Sequence, residues 1–274
     1  MPELPEVETV VRDLRPLLCG RTLKRVERLT SVSLRQVWRA AWETSLVGQQ
    51  VQAIQRRGKW IVMTLSNASL LVVHLGMTGQ LRVVPADQPL ESHTHFRFAL
   101  DEGDLRYRDI RRFGSLQCWP DRASWQRQLA EMRLGPEPFG VDPDDWLQRL
   151  RACKRNLKAT LLDQTLLAGV GNIYADEALH AARLHPARRA CDLAPAEAER
   201  LRLAIEAVLT RAINKRGSSI RNYVGGSGLQ GGFQDEFAVY GRTGQPCGTC
   251  GQAIVMQRYA GRSSHLCPVC QALE

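Results

Sequence analysis

Toward the end of the chain, four cysteines stand as two matched hooks, Cys247-x2-Cys250 and Cys267-x2-Cys270, with sixteen residues between them. No other feature restricts the fold as strongly. Four thiolates suit a tetrahedral structural zinc site, and each CxxC turn can deliver two sulfurs to the same ion. Four cysteine ligands leave no open position for water, so the metal is expected to be structural. Between the hooks, AIVMQRY and the segment ending at His265 read as the two sides of a hairpin. A hairpin this short has little core, and metal ligation contributes much of the folding free energy, about 10–16 kcal/mol in small zinc peptides. A pair of disulfides or redox sites is the lesser alternative. The other cysteines, Cys19, Cys118, Cys153 and Cys191, are scattered in the manner of buried thiols in a reducing compartment. Arg258, Arg262 and His265 would stand on this platform, where an arginine fork suits phosphate.

The remainder of the chain divides by texture. From Pro5 to about Cys19, Val7, Val10, Val11, Leu14 and Leu18 recur at helical spacing, with Gly20 as a stop. Prolines are tolerated at such a start because the missing amide donor would be unsatisfied there anyway. VQAIQ, KWIVMTL, SLLVVHL, HFRFAL, DLRYRD and GSLQCW read as strands, which predicts an antiparallel sheet or sandwich with the first helix lying against it. LGPEPFGVDP has the proline and glycine density of a linker. DDWLQRLRACK, LKATLLDQ, NIYADEALHAARL and PAEAERLRLAIEAVLTRAIN then read as helices, the last with Leu201, Ala204, Ile205, Val208, Leu209, Ala212 and Ile213 as its apolar stripe. The glycine-rich GSSIRNYVGGSGLQGG has the composition of a mobile loop. The expected class is α+β, with a β domain over residues 1–133, a linker over 134–143, a helical domain with the loop over 144–236, and the cysteine hairpin over 237–274.

Lysine and arginine number 37 against 28 acidic residues, a formal net charge of +9. That balance favours a polyanionic partner but leaves nucleic-acid, ribosomal and membrane-surface roles open. No signal-peptide pattern precedes the first helix and no apolar run is long enough to span a bilayer, so the chain reads as soluble and intracellular.

Several short stretches can carry chemistry. In MPELPEV, Pro2 becomes a secondary amine if Met1 is removed, a nucleophile no other residue offers. Asn172, in LLAGVGNIYADEAL, is placed at a helix N-cap, where it serves either as an ordinary cap or, with the amides of Val170 and Gly171, as a phosphate cradle. In HLGMTGQL, Met77 between glycines is a core residue or the tip of a protruding turn. Arg111, Arg112 and Phe113, in RDIRRFG, form a solvated face with a core aromatic, or a wedge for an opened duplex. Lys59 in RRGKW is a surface lysine, a phosphate contact or an amine nucleophile.

Together these strings resemble the bacterial formamidopyrimidine-DNA glycosylase family, also called 8-oxoguanine DNA glycosylase/AP lyase. The resemblance runs from Pro2 to Gln271 through PELPEVET, RRGKW, HLGMTG, RRFG, LLDQTLLAGVGNIYADEAL, YGRTGQPC and CxxC…CPVC. It implies an N-terminal β-sandwich with its catalytic helix, a helix-two-turn-helix domain, and a zinc-ribbon-like hairpin holding one structural Zn2+, with no catalytic metal or organic cofactor. It also implies a monomer acting on damaged double-stranded DNA, in the bacterial cytoplasm at chromosomal DNA, with no membrane involvement. By the same resemblance Pro2 is the nucleophile and Glu3 its acid–base partner, while Lys59 is the active-site lysine. Asn172 and Arg262 form a phosphate clamp at the active site, and His74 lies near the DNA backbone. Met77, Arg111 and Phe113, with Arg112 beside them, fill the void left by the lesion. The passage from Gly217 to Phe233 resembles a lesion-capping loop, with Ser218, Ser219, Ile220, Arg221, Asn222 and Tyr223 as its recognition residues, although the family commonly has threonine where Asn222 stands. The resemblance implies removal of oxidised or ring-opened purines followed by β,δ-elimination. An endonuclease VIII-like enzyme for oxidised pyrimidines and a non-catalytic damaged-DNA-binding protein are the alternatives.

Overall fold

The computed structural model describes residues 2–30, 34, 38–219, 225, 226 and 228–273. They fall into two compact units, Met1–Glu131 with Lys215–Gly232, and Met132–Asn214 with Phe233–Glu274.

In the first unit, α1 (Leu4–Leu18) precedes β1 (Leu23–Arg28), α2 (Ala40–Leu46), β2 (Val51–Arg57), β3 (Trp60–Leu65) and β4 (Leu70–His74). β5 (Gly79–Val84), β6 (Thr94–Leu100), β7 (Asp104–Asp109), β8 (Ser115–Trp119) and α3 (Arg122–Glu131) follow. Two four-stranded antiparallel sheets result, ordered β1-β6-β7-β5 and β2-β3-β4-β8. The apolar stripe of α1 shares one core with both: Val7, Val10, Val11, Leu14 and Leu18 cluster with Ile54, Ile61 and Val73 of one sheet and Leu81, Phe98 and Tyr107 of the other. Each such buried side chain contributes about 1.5–3 kcal/mol, and the five together outweigh the hydrogen bonds at the helix end. Apolar burial therefore fixes where the chain's N-terminus lies.

The six strands expected from alternation are present as β2, β3, β4, β6, β7 and β8. β1 was not expected, because LKRVER is mostly charged and its two buried residues, Leu23 and Val26, are three apart. A register shift between Leu23 and Arg25 turns both onto the core face, a device that strict alternation does not reveal. β5 was missed for another reason, its start being hidden behind the glycines of HLGMTGQL.

The second unit contains α4 (Pro143–Arg151), α5 (Leu157–Leu162), α6 (Asn172–Ala181), α7 (Pro195–Asn214), and the hairpin of β9 (Val255–Tyr259) and β10 (Arg262–Leu266). The whole predicted stripe of α7 is buried. Trp146 of α4 packs there and donates its indole N–H to the Ala198 carbonyl at 2.8 Å. The stretch expected as a linker is fastened within this unit by bonds from the Gly135 amide to the Gln164 carbonyl at 2.8 Å and from the Ala168 amide to the Pro136 carbonyl at 2.9 Å. Among the described residues no helix is long and apolar enough to cross a membrane.

Candidate active site

Pro2 and Glu3 lie buried at the head of α1. Glu3 is the N-cap, and its amide donates to Glu6 Oε2 at 2.8 Å, which satisfies one of the orphan donors of the helix start. Glu6 Oε1 accepts from the Ser218 amide at 2.8 Å and the Ser218 hydroxyl at 3.2 Å. One buried carboxylate thus joins the N-terminus to the stem of the glycine-rich segment. Gly217 makes this approach feasible: its φ is +74°, and a Cβ there would lie 2.7 Å from Glu6 Oε1. Arg216 Nη2 donates to both oxygens of the Asp13 carboxylate, at 2.7 and 2.9 Å, and the Gly231 amide donates to the Ser219 hydroxyl at 2.8 Å. Composition reads this passage as a mobile loop; its described stem is tied to α1 through Arg216 and Ser218, and its far end closes on that stem through Gly231 and Gly232. Ile220, Arg221, Asn222 and Tyr223 lie outside the described residues.

The sheet register gathers the other candidates of this unit. Trp60 pairs with His74, and His74 with Ser115, so Lys59, His74 and the end of RRFG share one end of the β2-β3-β4-β8 sheet. The N-terminal end of α1 points the same way, since Arg15 reaches the Ile54 carbonyl while Glu8, nearer the helix start, holds Arg56 at 3.0 Å. Burial alone would raise the Glu8 carboxyl, but hydrogen bonds and charge from Arg12 and Arg56 hold it below its ordinary range. Arg56 also donates to the Gly58 carbonyl at 3.3 Å, steadying the turn that carries Lys59. Lys59 is buried rather than lying on the surface. His74 Nδ1 accepts the Gly76 amide at 3.1 Å, which leaves Nε2–H as the donor of the neutral ring. Met77 is 37% and Phe113 46% exposed, so both are presented to solvent and neither is a core residue. The Arg111 guanidinium lies 4.7 Å from the Phe113 ring centroid, and Arg112 adopts a φ of +56° between them in sequence.

In the second unit, the cap of α6 differs from expectation: Gly171 is the N-cap, and Asn172 is the first helical residue. Freed from capping, the Asn172 side chain donates to the Ser263 carbonyl at 3.1 Å, next to Arg262 on β10. Lys158, fully buried, donates to the Asn172 carbonyl at 2.8 Å and to Asp176 at 2.5 Å. The other oxygen of Asp176 accepts from the His265 amide at 2.9 Å and its ring Nδ1 at 3.0 Å. His265 therefore serves the docking of the hairpin, while Arg262, beside the Ala260–Gly261 turn, is exposed. Glu177 accepts the amides of Ala238, Val239 and Tyr240 at 2.8–3.0 Å and fixes the approach to the ribbon.

The four sulfurs of Cys247, Cys250, Cys267 and Cys270 lie within 4.8 Å of one another. Tetrahedral Zn2+ with about 2.3 Å bonds requires sulfurs roughly 3.8 Å apart, and the observed 3.4 Å for Cys250–Cys267 and 3.9 Å for Cys247–Cys270 bracket that spacing. Against burial, the amides of Thr249 and Cys250 bring the Cys247 thiol down to about 5, whereas burial and the neighbouring sulfurs push Cys270 up to about 12. Without a cation one thiolate suppresses the next; a divalent ion removes that conflict, so the donor set fits one structural zinc.

The profile described as the formamidopyrimidine-DNA glycosylase N-terminal domain matches residues 1–116, that of its H2TH domain residues 134–224, and a zinc finger found in FPG and IleRS residues 244–273. The formamidopyrimidine-DNA glycosylase of Heliobacterium modesticaldum is 45% identical over 99% of this chain and all of its own, and that of Carboxydothermus hydrogenoformans is 42% identical over the same shares. The chain belongs to the formamidopyrimidine-DNA glycosylase family. Among solved members, wild-type Lactococcus lactis Fpg bound to N7-benzyl-Fapy-dG DNA aligns with a TM-score of 0.93 at 35% identity, covering 99% of this chain and all of that one. The same enzyme with abasic-site DNA gives a TM-score of 0.92 with the same identity and coverage. As a formamidopyrimidine-DNA glycosylase, the chain has further built-in groups that its sequence strings did not single out: Glu6, Lys158, Asp176 and Glu177. Each is a charged residue on a largely apolar helix face, a signal that was available but easily taken for helix capping or solvation.

Proposed function

We infer that this enzyme excises oxidised or ring-opened purines from duplex DNA and then cleaves the strand as an AP lyase. The observation carrying this reading is the buried Pro2–Glu3 pair at the head of α1, in a chain 45% identical over its full length to a named formamidopyrimidine-DNA glycosylase. A free α-amine has an ordinary pKa of about 7.7–8.0, so near neutrality a useful fraction is unprotonated without the deprotonation cost of a lysine. Once Met1 is removed, Pro2 nitrogen attacks C1′ of the damaged nucleotide, and the C1′–base bond breaks as the base leaves with a proton. Glu3 exchanges protons with the opening sugar. The C1′–O4′ bond then breaks as O4′ takes up a proton, and the secondary amine is left as a cationic iminium, which acidifies the C2′ hydrogen. Loss of that proton expels the 3′ phosphate, and a second elimination releases the 5′ phosphate.

The nucleotide must first leave the helix, at about a few kcal/mol, less at a damaged pair. Lys59 and His74 of the first unit, and Asn172 and Arg262 of the second, supply phosphate contacts that stabilise the displaced backbone. Met77, Arg111 and Phe113, flanked by Arg112, occupy the vacated stack, and the guanidinium of Arg111 faces the orphaned base. Ser218 and Ser219 begin the segment that covers the everted purine, and Ile220, Arg221, Asn222 and Tyr223 continue it. Such an enzyme works on the chromosome in the bacterial cytoplasm.

The test compares duplexes carrying 8-oxoguanine opposite cytosine with duplexes carrying thymine glycol. Faster excision of 8-oxoguanine is expected. Faster release of thymine glycol would instead assign the chain to oxidised pyrimidines, and tight binding without release of either would make it a binding protein.

A further inference from the structure

The turn carrying Met77 and the segment carrying Arg111 and Phe113 are separated by some thirty residues, yet one carboxylate ties them together. Asp109, the last residue of β7, has 0% exposure. Its Oδ1 accepts the Thr78 hydroxyl at 2.5 Å and the Arg111 amide at 3.2 Å; its Oδ2 accepts the Gly114 amide at 2.9 Å and the Tyr107 hydroxyl at 3.2 Å. The Thr78 oxygen also accepts from the Arg111 amide, at 2.9 Å. Burial, and then the adjacent Asp109 charge, push the Tyr107 phenol well above its usual range, so it remains a donor to this carboxylate. The two loops touch backbone to backbone. A Cβ on Gly76 would lie 2.4 Å from both Phe113 C and Gly114 N, and one on Gly114 would lie 2.6 Å from the His74 carbonyl oxygen.

A buried carboxylate is costly unless its donors stay in place, and bonds to an ionised acceptor are about twice as strong as neutral ones. Moving either loop alone would strip donors from Asp109, so the two loops behave as one body. We propose that Asp109 is a positioning residue that locks Met77, Arg111 and Phe113 into a single wedge, which enters the opened helix as a unit. The proposal rests on the reading of those three residues as void fillers. Asp109 itself is assigned no DNA contact; it acts through the loops it holds.

Thr78, half-buried, provides a milder probe than Asp109, because Thr78→Val removes the bridging hydroxyl and preserves shape. Single-turnover excision is compared on a fully paired lesion duplex and on one whose lesion faces a single-nucleotide gap, already open. The expected result is that Thr78→Val loses about tenfold more on the paired duplex than on the gapped one. Thr78→Ser should behave as the parent, and Thr78→Val added to Phe113→Ala should cost nothing beyond Phe113→Ala alone. Asp109→Ala should show the same substrate bias more strongly, provided circular dichroism shows it folded. Equal losses of Thr78→Val on both substrates, or losses additive with Phe113→Ala, overturn the positioning role while leaving the wedge intact. If Phe113→Ala itself loses equally on both substrates, the wedge reading fails and the proposal fails with it.

Discussion

Glu3 and Glu6 are both buried at the head of α1, and their partners separate their tasks. Both oxygens of Glu6 hold main-chain groups, the Glu3 amide on one side and Ser218 on the other, so its carboxylate is bound up in geometry. Glu3 follows the proposed nucleophile directly, caps α1 with its side chain, and is the carboxylate proposed to exchange protons with the sugar. Glu3→Gln, which keeps size and hydrogen bonding but removes the proton-exchanging group, should slow single-turnover excision by about 10²–10⁴ while DNA affinity stays near that of the parent. An unchanged rate at saturating DNA would remove Glu3 from the chemistry. The motif PELPEV displays both acids, but only the structure shows that one of them is occupied by the loop stem more than two hundred residues away.

Helices and strands differed in how openly they were written. The stripes of α1 and α7 were legible because every apolar position at helical spacing faces a core. β1 was not, because a bulge breaks its alternation, and the cap of α6 was misread because Gly171 leaves Asn172 free to bond the ribbon. The head of α7 illustrates what such contacts contribute. Glu197 receives both guanidinium nitrogens of Arg188, at 2.5 and 2.9 Å, and the Ala194 amide at 3.0 Å. The Arg188 hydrogen bonds, despite burial, hold the Glu197 carboxyl below its ordinary range. A depressed folded-state pKa means stability that is fully present above the unfolded value of about 4.3 and lost as pH falls through the folded one. Glu197→Gln should therefore be less stable by about 1 kcal/mol in urea melts at neutral pH, and the gap should close below about pH 4. A gap that persists unchanged into acid would show that packing, and not the charged pair, supports this helix start.

Across the whole chain, the net charge of +9, the zinc ribbon and the capped head of α1 each have a place in the proposed reaction. Charge raises affinity for any duplex, the ribbon holds Arg262 on a rigid turn, and the sandwich core fixes the end of α1. The clustered cysteines were readable from their spacing. The buried charges Asp109, Asp176 and Glu177 were not, because each takes a partner from a distant segment, Thr78 for Asp109, His265 for Asp176 and Val239 for Glu177. The amine of Pro2 is the group proposed to form the covalent link to DNA. Borohydride reduction during turnover of an 8-oxoguanine duplex, followed by mass-spectrometric mapping of the adduct, tests it most directly. A trapped protein–DNA species carried on Pro2, in chains that have lost Met1, is expected. A modification mapped to Lys59, or strand cleavage with no trapped species, would contradict it.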